Sequence, residues 1–288
     1  MKDYVIITDS ASDISAEILN EWGVRSNELT FRFSEDNKEY SNSEMPVKEF
    51  YDRMREGGVA KTSAVNSETW LRSFEQILKD GKDVLCLAFS SGLSTTYNSA
   101  RIAASQLSNI YKDSKIMVVD TLCASAGEGL LVRLVVNKKN EGATIEEAAA
   151  YAKEIVPNVC HWFTVDDLVY LKRGGRISSA AAFFGNMIGI KPVLHVDDDG
   201  HLVNVSKVRG RRSAIVAMAD KYTETAFDKE NGLIYISHAD CKNDADELAK
   251  ILRERHGASV EIITSVGPVI GAHSGPGTLA LFFIGSTR

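Results

Sequence analysis

The sequence predicts an α/β protein of two domains, the first of which is built on a parallel sheet. Three apolar, strand-like runs lie at 4–7, 84–89 and 116–119, and a segment with helical spacing follows each of them. Strands that read as continuous apolar runs, separated by helices, are typical of a parallel sheet with helices on both faces. The length of 288 residues fits about two domains.

The helices of the first half follow from apolar residues spaced three and four positions apart. This spacing occurs at 14–19, behind the first strand, and at 97–107, behind the second. Further helices are expected at 46–55, 67–79 and 144–156. We expect these elements to form an N-terminal α/β domain at 1–160.

The sequence pattern changes near Cys160, and the new pattern predicts a C-terminal α/β domain at 161–288. Two β-rich runs at 192–196 and 202–208 flank an Asp-Gly pair, which is a hairpin signal. The segments after the hairpin are a helix at 212–227 and a βαβ pattern at 233–237, 244–255 and 259–264. The glycine-rich turn at 271–277 is expected to open into a final helix.

Composition and charge exclude several classes of protein. The 33 Lys and Arg residues against 39 Asp and Glu give a net charge of −6, without the basic excess of nucleic-acid binders. The apolar runs are too short to span a membrane, and an acid two residues after the first run, Asp9, argues against a signal peptide. None of the four cysteines forms a C-x-x-C pair. We therefore expect a cytoplasmic protein with reduced thiols, no nucleic acid partner and no stable membrane insertion.

Common catalytic and cofactor motifs are missing from the sequence. It contains no P-loop, no complete dinucleotide fingerprint and no H-E-x-x-H motif, so we assign no cofactor and no metal. Residues 92–96 resemble a nucleophile elbow, but Thr96 stands where G-x-S-x-G has its second glycine. A serine hydrolase or acyl esterase that uses Ser94 and His273 remains the alternative function, and otherwise we assign no catalytic residue.

Hydroxyl-rich loops follow all three predicted strands of the first half, at 8–13, 90–96 and 120–125. In a parallel α/β sheet, ligands bind outside the carboxyl ends of the strands. A loop that opens into a helix also presents free N–H groups and the positive end of the helix dipole, which suit a carboxylate or phosphate. Simple helix capping is the competing explanation for any one loop. The convergence of three loops favours a binding site, with Ser94 as one helix N-cap.

Further clusters of polar residues lie outside these loops. Thr62-Ser63 lies between two predicted helices, and 207–212 is basic. The segment 171–178 places three cations around two glycines, which in an acidic protein favours a phosphate or an acidic partner surface over a plain solvated loop. His273, in the turn at 271–277, is a candidate partner for a carboxylate or phosphate.

Taken in order, these residues resemble the DegV family of bacterial fatty-acid-binding proteins over nearly the whole chain. The matching segments are Thr8-Asp9-Ser10, Thr62-Ser63, Ser90 to Ser94 with Tyr97, Asp120 with Ser125-Ala126-Gly127, Leu171 to Ile177, Lys191-Pro192, Lys207-Val208-Arg209, and His273 with Gly275-Pro276-Gly277. Each segment alone is weak evidence for the resemblance, but the complete set in the same order is specific to the family. The sequence departs from the family at 64–66, which is Ala-Val-Asn instead of Gln-Pro-Ser, and at Thr95, where the family has glycine.

The resemblance implies a two-domain protein that holds one long-chain fatty acid in a buried tunnel between its domains, with the carboxylate near the surface. The family looks like the substrate-presenting subunit of a fatty acid kinase, without independent catalysis. A separate ATP-dependent kinase subunit would phosphorylate the bound carboxylate to an acyl-phosphate that feeds phospholipid synthesis. We expect the chain to be a monomer when it is alone.

The resemblance also implies roles for individual residues. The carboxylate would be bound by Thr62, Ser63, Ser94 and Thr95. The head group and its phosphorylated form would be bound by Arg209 and His273. The basic loop that faces the kinase would present Lys172, Arg173 and Arg176. The remaining loop residues of the site would be Asp9, Ser10, Ser91, Asp120, Ser125, Gly275 and Gly277.

An apolar stretch at 180–190 is the candidate wall of the acyl tunnel, because its small residues and glycines leave room for a chain. The tunnel residues would be Phe183, Phe184, Met187 and Ile188. Plain core packing is the competing explanation. Each buried methylene contributes about 0.8 kcal/mol, so a tail of roughly fifteen contributes on the order of 12 kcal/mol before the cost of ordering it.

Overall fold

The structure is a computed structural model that describes residues 2–178 and 189–288. Its strands are β1 (Tyr4–Asp9), β2 (Arg25–Asn27), β3 (Thr30–Phe33), β4 (Tyr40–Ser41), β5 (Ala60–Ser63), β6 (Asp83–Ala88), β7 (Ile116–Asp120), β8 (Val159–Thr164), β9 (Ile190–Val196), β10 (Leu202–Arg209), β11 (Tyr235–His238), β12 (Ile262–Ser265) and β13 (Leu279–Ile284). Its α-helices are α1 (Ala16–Glu21), α2 (Val47–Arg55), α3 (Ser67–Lys79), α4 (Thr96–Ser108), α5 (Ala126–Asn140), α6 (Ile145–Ile155), α7 (Val169–Arg173), α8 (Arg211–Thr225), α9 (Lys242–His256) and α10 (Pro268–Ser274).

The first sheet has four parallel strands in the order β2–β1–β6–β7, which confirms the parallel sheet predicted for the first half. Alternation along β6 divides its side chains between two faces. Leu85 and Leu87 enter one buried cluster with residues of α5 and α6, while Val84 and Cys86 enter another with residues of α3 and α4. Helices therefore cover both faces, and the loops after β1, β6 and β7 meet at one edge of the sheet.

A small antiparallel sheet has the strand order β4–β3–β5, and its strand β5 lies in the chain between the predicted helices at 46–55 and 67–79. Thr62 and Ser63 belong to β5 and pair with β3, so they lie in a strand and cap no helix. The cap of α3 is Asn66, whose side-chain oxygen accepts the Thr69 N–H at 2.9 Å. β5 escapes prediction because Ala60–Ser63 is short and lacks apolar alternation.

The third sheet has six strands in the order β10–β9–β8–β13–β11–β12. It contains the predicted antiparallel hairpin of β9 and β10 and the predicted βαβ unit of β11, α9 and β12. The expectation of a final helix after the turn at 271–277 is wrong, because residues 271–274 are the end of α10 and the segment leads into β13, which lies between β8 and β11. Since β13 is buried on both faces, its apolar run has no period that distinguishes it from a buried helix.

Two helices connect the sheets. α5 packs against β6 on one side and against β8, β11 and β13 on the other, while α10 packs against α2, β3 and β5. The six-stranded sheet begins at Val159, and the division of the chain into domains at residue 160 remains a prediction. No helix in the ranges 2–178 and 189–288 is long and apolar enough to cross a membrane.

Candidate functional site

A cavity of about 430 Å³ lies between the loops of the four-stranded sheet and one face of the six-stranded sheet. This volume falls within the range of small-molecule sites in proteins. Loops after β6 and β7, together with α10, form one wall, and β8, β11 and β13 form the other. We call the partly exposed end with Thr62, Ser94, Thr95 and His273 the mouth. The resemblance named all four of these residues.

At the mouth, β5 and α10 bring Thr62 and His273 together. The Thr62 Oγ1 atom lies 2.8 Å from His273 Nε2. Burial, followed by the nearby charge of Arg176, lowers the pKa of His273 to about 4. The imidazole is therefore neutral at neutral pH, and its partnership with Thr62 is a neutral hydrogen bond.

Gly174, at the end of α7, lets the chain close on the His273 ring. A β-carbon at Gly174 would lie 2.2 Å from His273 Nδ1, far inside van der Waals contact. Within the described part of the chain, this Nδ1 atom is buried and has no hydrogen-bond partner. The ring is thus held by close packing on one side and by Thr62 on the other.

The loop after β6 places Ser94 and Thr95 at the start of α4. Ser94 Oγ accepts the Thr96 N–H at 3.2 Å and lies 2.9 Å from Thr96 Oγ1. The prediction of Ser94 as the N-cap is wrong, because the N-cap of α4 is Thr95, which makes no side-chain cap. Ser94 lies one residue earlier, and its hydroxyl contacts the first residue of the helix instead. The positive end of the α4 dipole faces the same mouth, which favours an anionic group there.

Ser63 is the neighbour of Thr62 but does not line the cavity. Successive side chains of a strand point to opposite faces, and the Ser63 hydroxyl donates to Glu39 Oε1 at 2.9 Å. Of the four residues expected at the carboxylate, the structure therefore brings Thr62, Ser94 and Thr95 to the cavity and directs Ser63 away from it.

The three cations of the predicted partner-facing loop separate into two groups. Lys172 and Arg173 are exposed. Arg176 instead lines the cavity, where Nε and Nη2 donate to the Leu93 carbonyl at 3.2 and 3.1 Å. Burial lowers the pKa of this guanidinium from its ordinary value. Arg176 thus places a positive charge beside the mouth, whereas Arg209 is exposed at the end of β10 and outside the cavity lining.

The opposite end of the cavity is buried and mainly apolar, and we call it the inner end. Phe163 of β8 and Ala280 and Phe282 of β13 line it, and each is less than a tenth exposed. Phe163 and Ala280 are paired residues of neighbouring strands. Val266, just after β12, adds another buried apolar side chain to the same lining. This end provides the surface that a hydrocarbon chain requires.

His161, at the inner end, is a fully engaged neutral histidine. Its Nδ1–H donates to the Val159 carbonyl at 2.9 Å, and its Nε2 accepts the Ala124 N–H at 3.3 Å. Burial lowers its pKa well below the ordinary value. Its ring meets Phe282 edge to face. His161 therefore shapes the wall and has no ring nitrogen left for a ligand.

Acidic and hydroxyl residues of the strand-end loops hold those loops in place. Asp9 accepts the N–H groups of Ala11 at 3.1 Å and Phe89 at 2.9 Å, and Ser10 Oγ accepts the Leu29 N–H at 3.0 Å. Asp120 accepts the Ser91 N–H at 3.1 Å. Among the expected loop residues, Ser91 and Ser125 line the cavity, while Asp9, Ser10 and Asp120 support it from outside the lining.

Two glycines of the turn after α10 have backbone conformations that favour glycine, with φ of 81° at Gly275 and 79° at Gly277. A β-carbon at Gly275 would lie 2.3 Å from the Tyr170 ring, and one at Gly277 would lie 2.0 Å from the Asp166 carboxylate. The turn can therefore pack against the segment around α7 and fix the end of α10 that carries His273.

Sequence reasoning missed the inner wall, which includes His161, Phe163, Ser237, Ala280 and Phe282. The available signal was the apolar character of β8 and β13, but no local pattern shows which face of a buried strand meets a cavity. The predicted tunnel residues Phe183, Phe184, Met187 and Ile188 lie outside the described residues.

The geometry does not favour the hydrolase alternative. The Ser94 hydroxyl is engaged with Thr96, and His273 Nε2 contacts Thr62. A serine nucleophile requires a hydrogen-bonded base, and the described residues give Ser94 no such bond to a histidine.

The described residues also contain no group of three or more His, Cys, Asp or Glu side chains placed to hold a metal ion.

Comparison with known proteins identifies relatives along the full length of the chain. A family model described as "Uncharacterised protein, DegV family" matches residues 3–286. A DegV domain-containing protein of Clostridium perfringens is 42% identical over 291 residues, covering 100% of this chain and 99% of that protein.

Solved structures show the same fold. One is a Thermotoga maritima protein described as revealing a fatty acid binding function. It is 31% identical, with a TM-score of 0.85 and coverage of 99% of this chain and 100% of that one. Another is the Streptococcus pneumoniae fatty acid kinase B3 protein loaded with linoleic acid. At 19% identity, a TM-score of 0.86 and coverage of 98% and 99%, it shares the fold.

Proposed function

This chain belongs to the DegV family, and we propose that it binds one long-chain fatty acid in the cavity, with the carboxylate at the mouth and the chain toward the inner end. The observation that carries this proposal is a single cavity with partly exposed polar side chains at the mouth, Thr62, Ser94 and His273, and a buried, mainly apolar wall at the inner end. The binding of fatty acids by structural relatives supports it.

The inner end supplies the free energy of binding. A hydrocarbon chain moved from water into an apolar wall gains about 0.8 kcal/mol for each methylene. Phe163, Ala280 and Phe282 give such a wall on central strands, where the backbone is hydrogen-bonded on both sides. Val266 adds to this wall from the residue after β12. Chain burial therefore accounts for most of the affinity, reduced by the cost of ordering the ligand.

The mouth orients the carboxylate. Thr62, Ser94 and the start of α4 offer hydrogen-bond donors, and Arg176 places a positive charge nearby. Hydrogen bonds to a charged group are stronger than those between neutral groups. Because His273 is neutral, its position matters more than its charge, and its contact with Thr62 fixes the geometry of both side chains.

The proposal extends to a kinase partner. The carboxylate would lie at the partly exposed end of the cavity, and Lys172, Arg173 and Arg209 are exposed cations available to a second protein or its nucleotide. We propose that the chain presents the carboxylate to a separate ATP-dependent kinase subunit for acyl-phosphate formation and does not catalyse the step itself. The two-domain division at residue 160, the monomeric state and the cytoplasmic location belong to the same proposal.

Mass spectrometry of lipids extracted from the purified protein tests the binding proposal. We expect one long-chain fatty acid per chain, or uptake of one after delipidation and incubation. Protein that neither carries nor acquires a fatty acid would contradict the proposal. A short polar acid in its place would instead indicate a small-carboxylate sensor.

A reconstituted phosphorylation assay tests the kinase step. With the kinase subunit, ATP and fatty-acid-loaded protein, Arg209→Ala should reduce acyl-phosphate formation and leave the thermal unfolding temperature nearly unchanged, because Arg209 is exposed. Unchanged phosphorylation would remove Arg209 from the head-group and partner assignment. Ester hydrolysis by the protein alone, lost in Ser94→Ala, would restore the hydrolase alternative.

A further inference from the structure

The inner end carries two serine hydroxyls whose hydrogen-bonding capacity a plain hydrocarbon chain would leave partly unused. Ser237 of β11 is fully buried and Ser274 of α10 is 6% exposed, and both line the cavity. Within the described residues, Ser274 Oγ has no hydrogen-bond partner. A buried polar atom without a partner costs free energy, so such a group in a cavity wall points to a ligand that satisfies it.

Ser237 has unused capacity to accept hydrogen bonds, for a different reason. Ser125 Oγ donates to Asp13 Oδ2 at 2.5 Å and lies 2.9 Å from Ser237 Oγ. A serine hydroxyl has one proton, and that of Ser125 is engaged with Asp13. When Asp13 is ionised, Ser237 therefore donates to Ser125, and the lone pairs of the Ser237 oxygen stay available to a ligand in the cavity that Ser237 lines. Asp13 does not line the cavity, and its other oxygen accepts the Gly267 N–H at 2.9 Å.

The two serines belong to the same part of the wall. Ser237 pairs with Ala280 of β13, whose own side chain lines the inner end. Thr278, just before β13, donates its hydroxyl to the Ser274 carbonyl at 3.0 Å and accepts the Ala239 N–H at 2.8 Å through its carbonyl. The end of α10 and the start of β13 are thus tied to β11, and the surrounding wall is otherwise apolar.

We propose that this wall recognises a hydroxyl group on the acyl chain, so that the protein prefers hydroxylated long-chain fatty acids to unsubstituted ones. This inference rests on the proposed fatty acid binding. A hydroxyl can accept a hydrogen bond from Ser274 and donate one to Ser237, whereas a methylene does neither. A keto group lacks the donor that Ser237 requires.

Calorimetric titration of delipidated protein with stearic acid and a series of monohydroxystearic acids tests this proposal. The acids differ only in which carbon carries the hydroxyl. Burial raises the pKa of Asp13 to about 7, so a moderately alkaline buffer keeps that carboxyl ionised. We expect at least one isomer to bind about tenfold or more tightly than stearic acid. The double variant Ser237→Ala, Ser274→Ala should lose this preference, so that its affinities for stearic acid and for the hydroxylated isomers become alike.

Ser108→Ala is the matched control, because its hydroxyl donates to the Ala104 carbonyl on α4, outside the cavity lining. It should keep the preference. Equal binding of stearic acid and every isomer by the unmodified protein would overturn the inference. A preference that survives in the double variant would also overturn it. So would a Ser274→Ala variant that weakens all of the acids by one common factor, since Ser274 would then serve the carboxylate. Failure of stearic acid itself to bind would instead defeat the proposed function.

Discussion

The mouth and the inner end of the cavity are held in place by different means. At the mouth, Thr62 and His273 come from elements far apart in sequence and are fixed by one hydrogen bond and one close glycine contact. At the inner end, Phe163 and Phe282 are side chains of adjacent central strands and are fixed by the sheet itself. Orientation and affinity are therefore separable: changes at the inner end should affect binding most, and changes at the mouth less.

The largest effect is expected from filling the inner end. Ala280→Trp places a large side chain where Ala280 now lines the cavity, so it should displace much of the acyl chain. Because each excluded methylene forfeits about 0.8 kcal/mol, the affinity for stearic acid should fall at least about a hundredfold. Calorimetry measures the loss, and a fatty acid with a much shorter chain is the control. Near-normal binding of stearic acid by the folded variant would show that the chain does not occupy this end.

A smaller effect is expected from the glycine contact at the mouth. In Gly174→Ala, the new β-carbon would meet His273 Nδ1, so the ring must move and fatty acid affinity should fall by about ten- to a hundredfold. Gly175→Ala is the matched control, since its β-carbon meets open space.

Gly175 has a φ of 70°, so its replacement should cost about 1 kcal/mol of unfolding free energy without changing the affinity. Equal losses of affinity in the two variants would show that the loop, rather than the contact with His273, matters at the mouth.

Removing one hydroxyl from the mouth should weaken fatty acid binding by a smaller factor than the changes above. Thr62→Val keeps the shape of the side chain and deletes the partner of His273, so we expect about a tenfold loss of fatty acid affinity. Ser63→Ala deletes a hydroxyl on the opposite face of β5 and should leave affinity unchanged. Fluorescence competition with a labelled fatty acid can measure both. A loss in Ser63→Ala that matches Thr62→Val would contradict the assignment of the two faces.

The smallest effect on binding is expected from a change at the buried carboxyl of Asp13, which does not line the cavity. The effect of this change is expected on stability. Burial raises the pKa of Asp13 to about 7 from 3.8, so between these values the folded state holds a proton that the unfolded state releases. The contribution of Asp13 to stability is therefore greatest below the lower value and falls as the pH rises through the upper one. Asp13→Asn should reduce the loss of Tm between about pH 5 and about pH 8 by roughly 5 °C. An unchanged pH profile would show that Asp13 is not protonated in the folded state.

Much of the architecture was accessible from sequence because its signals are local. The apolar runs of β1, β6 and β7 and the hydroxyl-rich loops behind them predicted the parallel sheet and one edge of the site. Thr62, Ser94, Thr95 and His273 were identified through the ordered resemblance, which records their joint position without explaining it. The structure adds the reason: β5 and α10 place Thr62 against His273.

The rest depends on pairing between distant segments. β13 reads as a possible helix until its position between β8 and β11 makes it a strand buried on both faces. The different directions of Thr62 and Ser63 follow only from the pairing of β5 with β3. Arg176 was predicted to face the partner, but in the structure it lines the cavity and donates to the Leu93 carbonyl. The sequence of a basic loop does not show which of its cations turns toward a distant segment.

A crystal structure of the protein with a bound long-chain fatty acid tests the central claim most directly. The account predicts carboxylate oxygens within hydrogen-bond distance of Thr62 and Ser94, and a chain that passes Val266 to end against Phe163 and Phe282. A fatty acid bound in the reverse direction, or outside this cavity, would contradict it.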